Sequence, residues 1–135
     1  MSEEVIETKD VPWAGTFSNP MARRRFVLGD VHGCSRTLRR MVEEVLKLGE
    51  GDTLYLLGDY IDRGPDSKGV LDYLMQLWMK TDISIQPLLG NHEKMLLNAV
   101  ARGEDYWQFW YGNGGWATLQ RSEERRVGKE CRSRW

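Results

Sequence analysis

Three apolar runs in this chain end the same way, and that repetition constrains the fold more than any other feature. Leu28-Gly29-Asp30 opens "LGDVHG", Leu57-Gly58-Asp59 opens "LGDYIDRG", and Leu89-Gly90-Asn91 opens "LGNHE". The runs "RFVL" (25–28), "TLYLL" (53–57) and "ISIQPLL" (83–89) read as short buried strands. Helical spacing follows each one: Leu38, Met41, Val42, Val45 and Leu46; then Val70, Leu71, Leu74, Leu77 and Trp78; then a third helix from about Glu93 to Ala101. With Asp30, Asp59 and Asn91 spaced 29 and 32 residues apart, the pattern is that of repeated β-α units and predicts an α/β fold with a mainly parallel sheet. Right-handed crossovers then bring the three loops to one sheet edge. Open α/β sheets bind ligands there, outside the carboxyl ends of their strands.

Pro87 lacks a ladder donor, which predicts an edge position or a bulge for the third strand. Gly29, Gly58 and Gly90 fit tight strand-to-loop transitions, and "GEGD" (49–52) stops the first helix. Residues 1–22 carry Pro12, Gly15, Asn19 and Pro20 without periodicity and read as a loose arm, so the domain is expected over 23–120. With 19 Lys and Arg against 20 Asp and Glu, no global field points to nucleic acid or to an anionic membrane. No apolar run has transmembrane length, and the acidic start is unlike a signal peptide, so a cytoplasmic protein is expected. Cys34 and Cys131 are expected to be free thiols, and Cys34 and the methionine-bearing faces to be structural.

The loops together offer Asp30, His32, Asp59, Asp62, Arg63, Asn91, His92 and Glu93. Carboxylate, imidazole and amide oxygen in one set suit manganese, iron or zinc better than an all-oxygen site for magnesium or calcium would. Two cations about 3.5–4 Å apart need a shared anionic ligand, which a strand-end Asp such as Asp59 can supply. Glu93 fits a helix N-terminus, where an acid complements the dipole.

"GDVHG", "GDYIDRG" and "GNHE", in this order, resemble the N-terminal signatures of the calcineurin-like metallophosphoesterases, in their phosphoprotein phosphatase branch. The resemblance covers residues 25 to about 119, and Tyr60-Ile61 departs from the small aliphatics usual there. It implies the N-terminal half of an α-β-β-α sandwich. It further implies two divalent metal ions, manganese first and iron or zinc as alternatives, with Asp30 and His32 on one, Asp59 bridging and Asn91 on the second. By the same resemblance His92 is the general acid, Asp62 orients it, and Arg63 with Asn91 and His92 binds the substrate phosphate while metal-activated hydroxide attacks in line. The implied substrates are phosphorylated proteins, as for a serine/threonine phosphatase, or small phosphoesters; a symmetrical dinucleoside tetraphosphate hydrolase is the enzymatic alternative. A non-catalytic module that keeps the fold as an interaction surface is the alternative of another class.

The family's second metal takes two further histidines, and its phosphate site a second arginine, from a C-terminal half. This chain has only His32 and His92, and about half of the strands the resemblance implies, so an uncovered apolar sheet face is expected, with weak or absent activity and poor stability of residues 1–135 alone. The tail "RSEERRVGKECRSRW" (121–135) has no apolar periodicity and matches a translated sequencing adapter, so it is expected to be non-native. The aromatic-rich "DYWQFWYGNGGWATL" (105–119) reads as a packed short helix and turn, or as a substrate lip. Its "NGGWATL" is similar to a segment of bacterial and phage members.

Overall fold

The structure, a computed structural model, describes residues 23–120. The expectations for the arm and the tail fall outside these residues. Strands β1 (Arg25–Leu28), β2 (Thr53–Leu56) and β3 (Ser84–Pro87) form a parallel sheet in the order β1-β2-β3. Their register sets Leu28, Leu56 and Pro87 in one row, so all three following loops leave from the same edge. Pro87 lies on an edge strand of this sheet, as its missing N–H requires.

Helix α1 (Ser35–Arg40) runs on into a π-helical turn (Met41–Leu46), which Lys47 ends in the left-handed conformation. Helix α2 (Ser67–Trp78) is capped by Asp66, whose side chain accepts from Gly69 N at 3.1 Å, a contact that stabilises a helix by about 1 kcal/mol. Helix α3 (Asn91–Arg102) begins two residues before the predicted start, so Asn91 and His92 belong to its first turn. Helix α4 (Glu104–Trp110) continues through a π-helical turn (Tyr111–Gly115) kinked at Gly114, with helix again over 116–120.

One face of the sheet carries Phe26, Leu28, Leu54, Leu56 and Ile85 into a core with Leu38, Val42, Val70, Tyr73, Leu74 and Leu77. The helical face predicted on α2 needs correction. Tyr73 is buried, whereas Leu71 and Trp78 are turned outward. The methionine faces differ too, since Met75 and Met79 are exposed. On the other face of the sheet Val27 stays 61% exposed, and at the strand edge Leu57 stays 51% exposed, which is the uncovered surface expected. Tyr60-Ile61, the departure from the family pattern, sits in the core. The Tyr60 hydroxyl donates to the carbonyls of Leu88 (2.7 Å) and Leu56 (3.2 Å), tying the ends of β2 and β3 together.

Candidate metal centre and its hydrogen-bonded dyad

The loop after β1 is laid across the loop after β2 by backbone bonds: Val31 N and His32 N donate to Asp59 O (3.0 and 2.9 Å), and Gly33 N donates to Tyr60 O (2.8 Å). This brings Asp30, His32 and Asp59 together, with one ligand atom of each within 4.8 Å of the others. His32 Nε2 lies 3.9 Å from Asp30 Oδ2, too far for a hydrogen bond. His32 Nδ1 is 2.9 Å from Ile61 O. A carbonyl can only accept, so Nδ1 carries the proton and the Nε2 lone pair faces the carboxylates. An imidazole anchored to a carbonyl through its other nitrogen is the usual arrangement of a metal-ligating histidine. The donor set therefore fits a divalent cation.

Asn91 joins the same group. With its NH2 turned toward Asp59, the amide donates to both carboxylate oxygens at 2.8 and 3.0 Å. His92 N donates to Asp59 Oδ1 at 2.9 Å. Gly58 has φ +100, and a Cβ there would meet the Gly90 backbone, so the second and third loops touch only because both positions are glycine. Gly29, by contrast, has open space around it, and the constraint inferred for it from the repeat does not hold.

Glu93 does more than complement the helix dipole. Its Oε2 accepts from Asp59 N (2.8 Å) and Gly90 N (3.0 Å), and its Oε1 from Tyr60 N (2.7 Å) and Ile61 N (3.2 Å). One carboxylate thus fastens the loop after β2 to the start of α3. Burial, and after it the Glu93 charge, pushes the Tyr60 phenol up to about 12.

Asp62 and His92 form a buried pair beside this cluster. His92 Nδ1 lies 2.9 Å from Asp62 Oδ2, and the two side chains are 3% and 0% exposed. A solvent-exposed Asp62-Arg63 ion pair is excluded by that burial. The His92 and His32 rings meet edge to face, with centroids 4.7 Å apart. Asp62 also accepts from Trp110 Nε1 and Thr118 Oγ1, both at 2.7 Å. Arg63 is exposed next to it, and its N–H donates to Gly114 O at 3.1 Å. His32, Asp59, Asp62 and Arg63 all have φ between 42° and 71°, a region unfavourable to L-residues by about 1–2 kcal/mol each.

The residues singled out from the sequence thus converge: Asp30, His32, Asp59 and Asn91 in one cluster, and Asp62, Arg63 and His92 along its flank. What sequence reasoning missed is the support: the fourfold acceptor role of Glu93, and the contacts of Trp110 and Thr118 with Asp62. The aromatic density around Trp110 was a signal, but it does not say which indole N–H turns inward.

Residues 24–128 match the family model described as calcineurin-like phosphoesterase. The chain is 39% identical over 102 residues to serine/threonine-protein phosphatase 1 of Salmonella typhimurium, covering 75% of this chain and 44% of the relative. To the symmetrical bis(5'-nucleosyl)-tetraphosphatase of Proteus mirabilis it is 40% identical over 77 residues, 57% of this chain and 27% of the relative. The corresponding protein of Photorhabdus laumondii subsp. laumondii is 41% identical over 76 residues, 56% of this chain and 26% of the relative. The chain therefore spans less than half the length of these relatives. With three strand-end loops converging on a cation-ready cluster and the family model matched over almost all of the described residues, this chain belongs to the calcineurin-like phosphoesterase family.

Proposed function

We propose that the whole protein hydrolyses phosphomonoesters, phosphoserine and phosphothreonine of proteins foremost, at a centre holding two divalent metal ions, manganese ahead of iron or zinc. The observation that carries this reading is the convergence of Asp30, His32 and Asp59 within 4.8 Å, flanked by the buried Asp62–His92 pair. Asp30, His32, Asp59 and Asn91 are the residues that would hold the ions, with Asp59 central because Asn91 and His92 N both lie against its carboxylate. The ions, when bound, supply Lewis acidity toward the phosphoryl group and toward water. His92, as the imidazolium with its Nδ1–H held by Asp62, hands the Nε2 proton to the departing alkoxide and returns to the neutral Nδ1–H form. Arg63 offers phosphate oxygens a planar fork of donors from an exposed position, with Asn91 and His92 nearby in the first turn of α3.

The greater extent of the similarity to the protein phosphatase, 102 residues against 77, supports the protein substrate. The similarity to tetraphosphatases supports the second reading, a symmetrical dinucleoside tetraphosphate hydrolase. Turnover of a phosphopeptide panel and a dinucleoside tetraphosphate panel by the whole protein separates the two. Cleavage of dinucleotides with no phosphopeptide turnover would overturn the first. Elemental analysis that finds no transition metal in the active preparation would remove the metal centre itself.

A further inference from the structure

We propose that Trp110 and Thr118, with Ser67 behind them, are positioning residues that lock the Asp62 carboxylate as an acceptor at both oxygens and so hold the His92 proton on Nδ1. The inference rests on the general-acid reading of His92 for its catalytic consequence, though not for its geometry.

The geometry is a chain of donors that runs one way. An indole N–H can only donate, so Trp110 Nε1, 2.7 Å away and on a fully buried side chain, fixes Asp62 Oδ2 as an acceptor. The Thr118 hydroxyl donates to Oδ1 at 2.7 Å. Its one proton is then committed, so Ser67 Oγ, 3.0 Å from Thr118 Oγ1, must be the donor between those two hydroxyls. Asp62 N–H points back at Ser67 Oγ and Thr118 Oγ1, each at 3.0 Å, closing the ring. Oδ2 also faces His92 Nδ1. With an acceptor there, a proton on Nε2 instead would set an imidazole lone pair against a carboxylate lone pair where water cannot intervene. In its neutral form His92 is therefore held as the Nδ1–H tautomer, so the proton it takes up and gives away as an acid is the one on Nε2.

The "NGGWAT" stretch acquires a reason from this arrangement. Gly114 takes φ +107 and turns its carbonyl to Arg63 N, and a Cβ on it would come within 2.7 Å of Arg63 Cγ. A Cβ on Gly115 would lie 2.5 Å from the Trp110 indole. The kink at Gly114 thus folds Trp110 and Thr118, on opposite sides of it, onto one carboxylate. Trp107 supports the indole edge to face, with centroids 5.3 Å apart.

Two measurements on the whole protein test this. The first needs no turnover. Nitrogen-15 spectra of the imidazole side chains, with His92 identified by its loss in His92→Asn, are expected to show Nδ1–H in the wild type. The Nε2–H share should be larger in Thr118→Val and Trp110→Phe, and wild-type in Thr118→Ser. An unchanged tautomer in both altered proteins overturns the proposal. The second uses aryl phosphates of graded leaving-group basicity, from dinitrophenyl to phenyl phosphate. Thr118→Val is expected to lower kcat roughly tenfold more on the poor leaving group, within the roughly 100- to 10,000-fold that a positioned acid contributes, with Thr118→Ser restoring it. An equal loss on every ester for Thr118→Val, where His92→Ala is selective for the poor leaving group, means a merely structural role and overturns the proposal. Should His92→Ala itself lower all esters equally, the general-acid reading fails, and the spectra alone decide on the cradle. Where Trp110→Phe does not fold, the two Thr118 variants carry both measurements.

Discussion

Replacing Glu93 by Gln tests how the candidate metal-binding cluster is held together. The wild-type carboxylate accepts four backbone N–H groups, two on each oxygen: Asp59 and Gly90 on Oε2, Tyr60 and Ile61 on Oε1. An amide is nearly the same shape, but one of its two ends is a donor. Whichever way it is turned, two N–H groups then face an NH2. Each group left unsatisfied costs about 1–3 kcal/mol, and the half-buried setting lets water recover part of that. Glu93→Gln should therefore cost roughly 2–4 kcal/mol, a large share of a domain stability of about 5–15 kcal/mol. Glu93→Ala should cost no more than Gln, because it opens room for water instead of presenting a wrong donor. Urea unfolding of the metal-free protein in chelator measures both, and manganese titration should show weaker binding in both as the Asp59 and Asn91 loops come loose from each other. A helix-dipole contribution alone is worth about 0.3–1 kcal/mol. A loss below about 1 kcal/mol for Glu93→Gln would show that the four contacts are incidental and refute the reasoning.

Asp59→Ala is expected to lose bound metal, whereas His92→Ala and Asp62→Asn should keep it and turn over more slowly; equal metal content in wild type and Asp59→Ala would break the ligand assignment. Burial pushes the phenols of Tyr60 and Tyr73 up to about 12, helped by Glu93 and by a hydrogen bond to Glu43 respectively. Both remain protonated in the folded chain where the unfolded chain ionises, so their contribution to stability is complete below about pH 10 and is lost as the pH rises toward about 12. Chemical unfolding across that range should give an alkaline limb that flattens in Tyr60→Phe and Tyr73→Phe. At the acid end, the hydrogen bonds from Arg24 hold the Asp52 carboxyl below its usual range. That contribution is present above the ordinary carboxylate pKa of about 4 and fades as the pH falls below it, so Asp52→Asn should be less stable near neutrality and less sensitive to acid, as thermal melts at stepped pH would show.

The repeat of Leu-Gly followed by Asp or Asn carried the fold, because strand, loop and helix periods are local properties that hydrophobic spacing records directly. It also carried the cluster, since a parallel register places equivalent loops at one edge, and Leu28, Leu56 and Pro87 share a row. What the spacing could not carry was the direction in which particular side chains point. Leu71 and Trp78 satisfy the helical period of α2, yet Tyr73 takes the buried place, where its hydroxyl reaches Glu43. Glu93 has the sequence position of a helix-start acid, and its four-donor role exists only because another strand's loop arrives above it. Trp110 and Thr118 lie 48 and 56 residues from Asp62, and no local rule links them.

The left-handed backbone at Arg63 has a consequence for how such a chain would age. Its φ of 64° suits glycine, and its backbone N–H, bonded to Gly114 O, would survive the exchange. Relief of about 1–2 kcal/mol of local strain more than offsets the roughly 0.5–1 kcal/mol of flexibility that glycine gives the unfolded chain. A lineage required only to stay folded would meet no resistance in replacing this arginine and could even benefit. On the proposed phosphate-binding role of Arg63, its guanidinium is thus a clock: a gene that had stopped needing the reaction would be free to lose it at residue 63 while the core around Leu54 and Val70 still showed no wear.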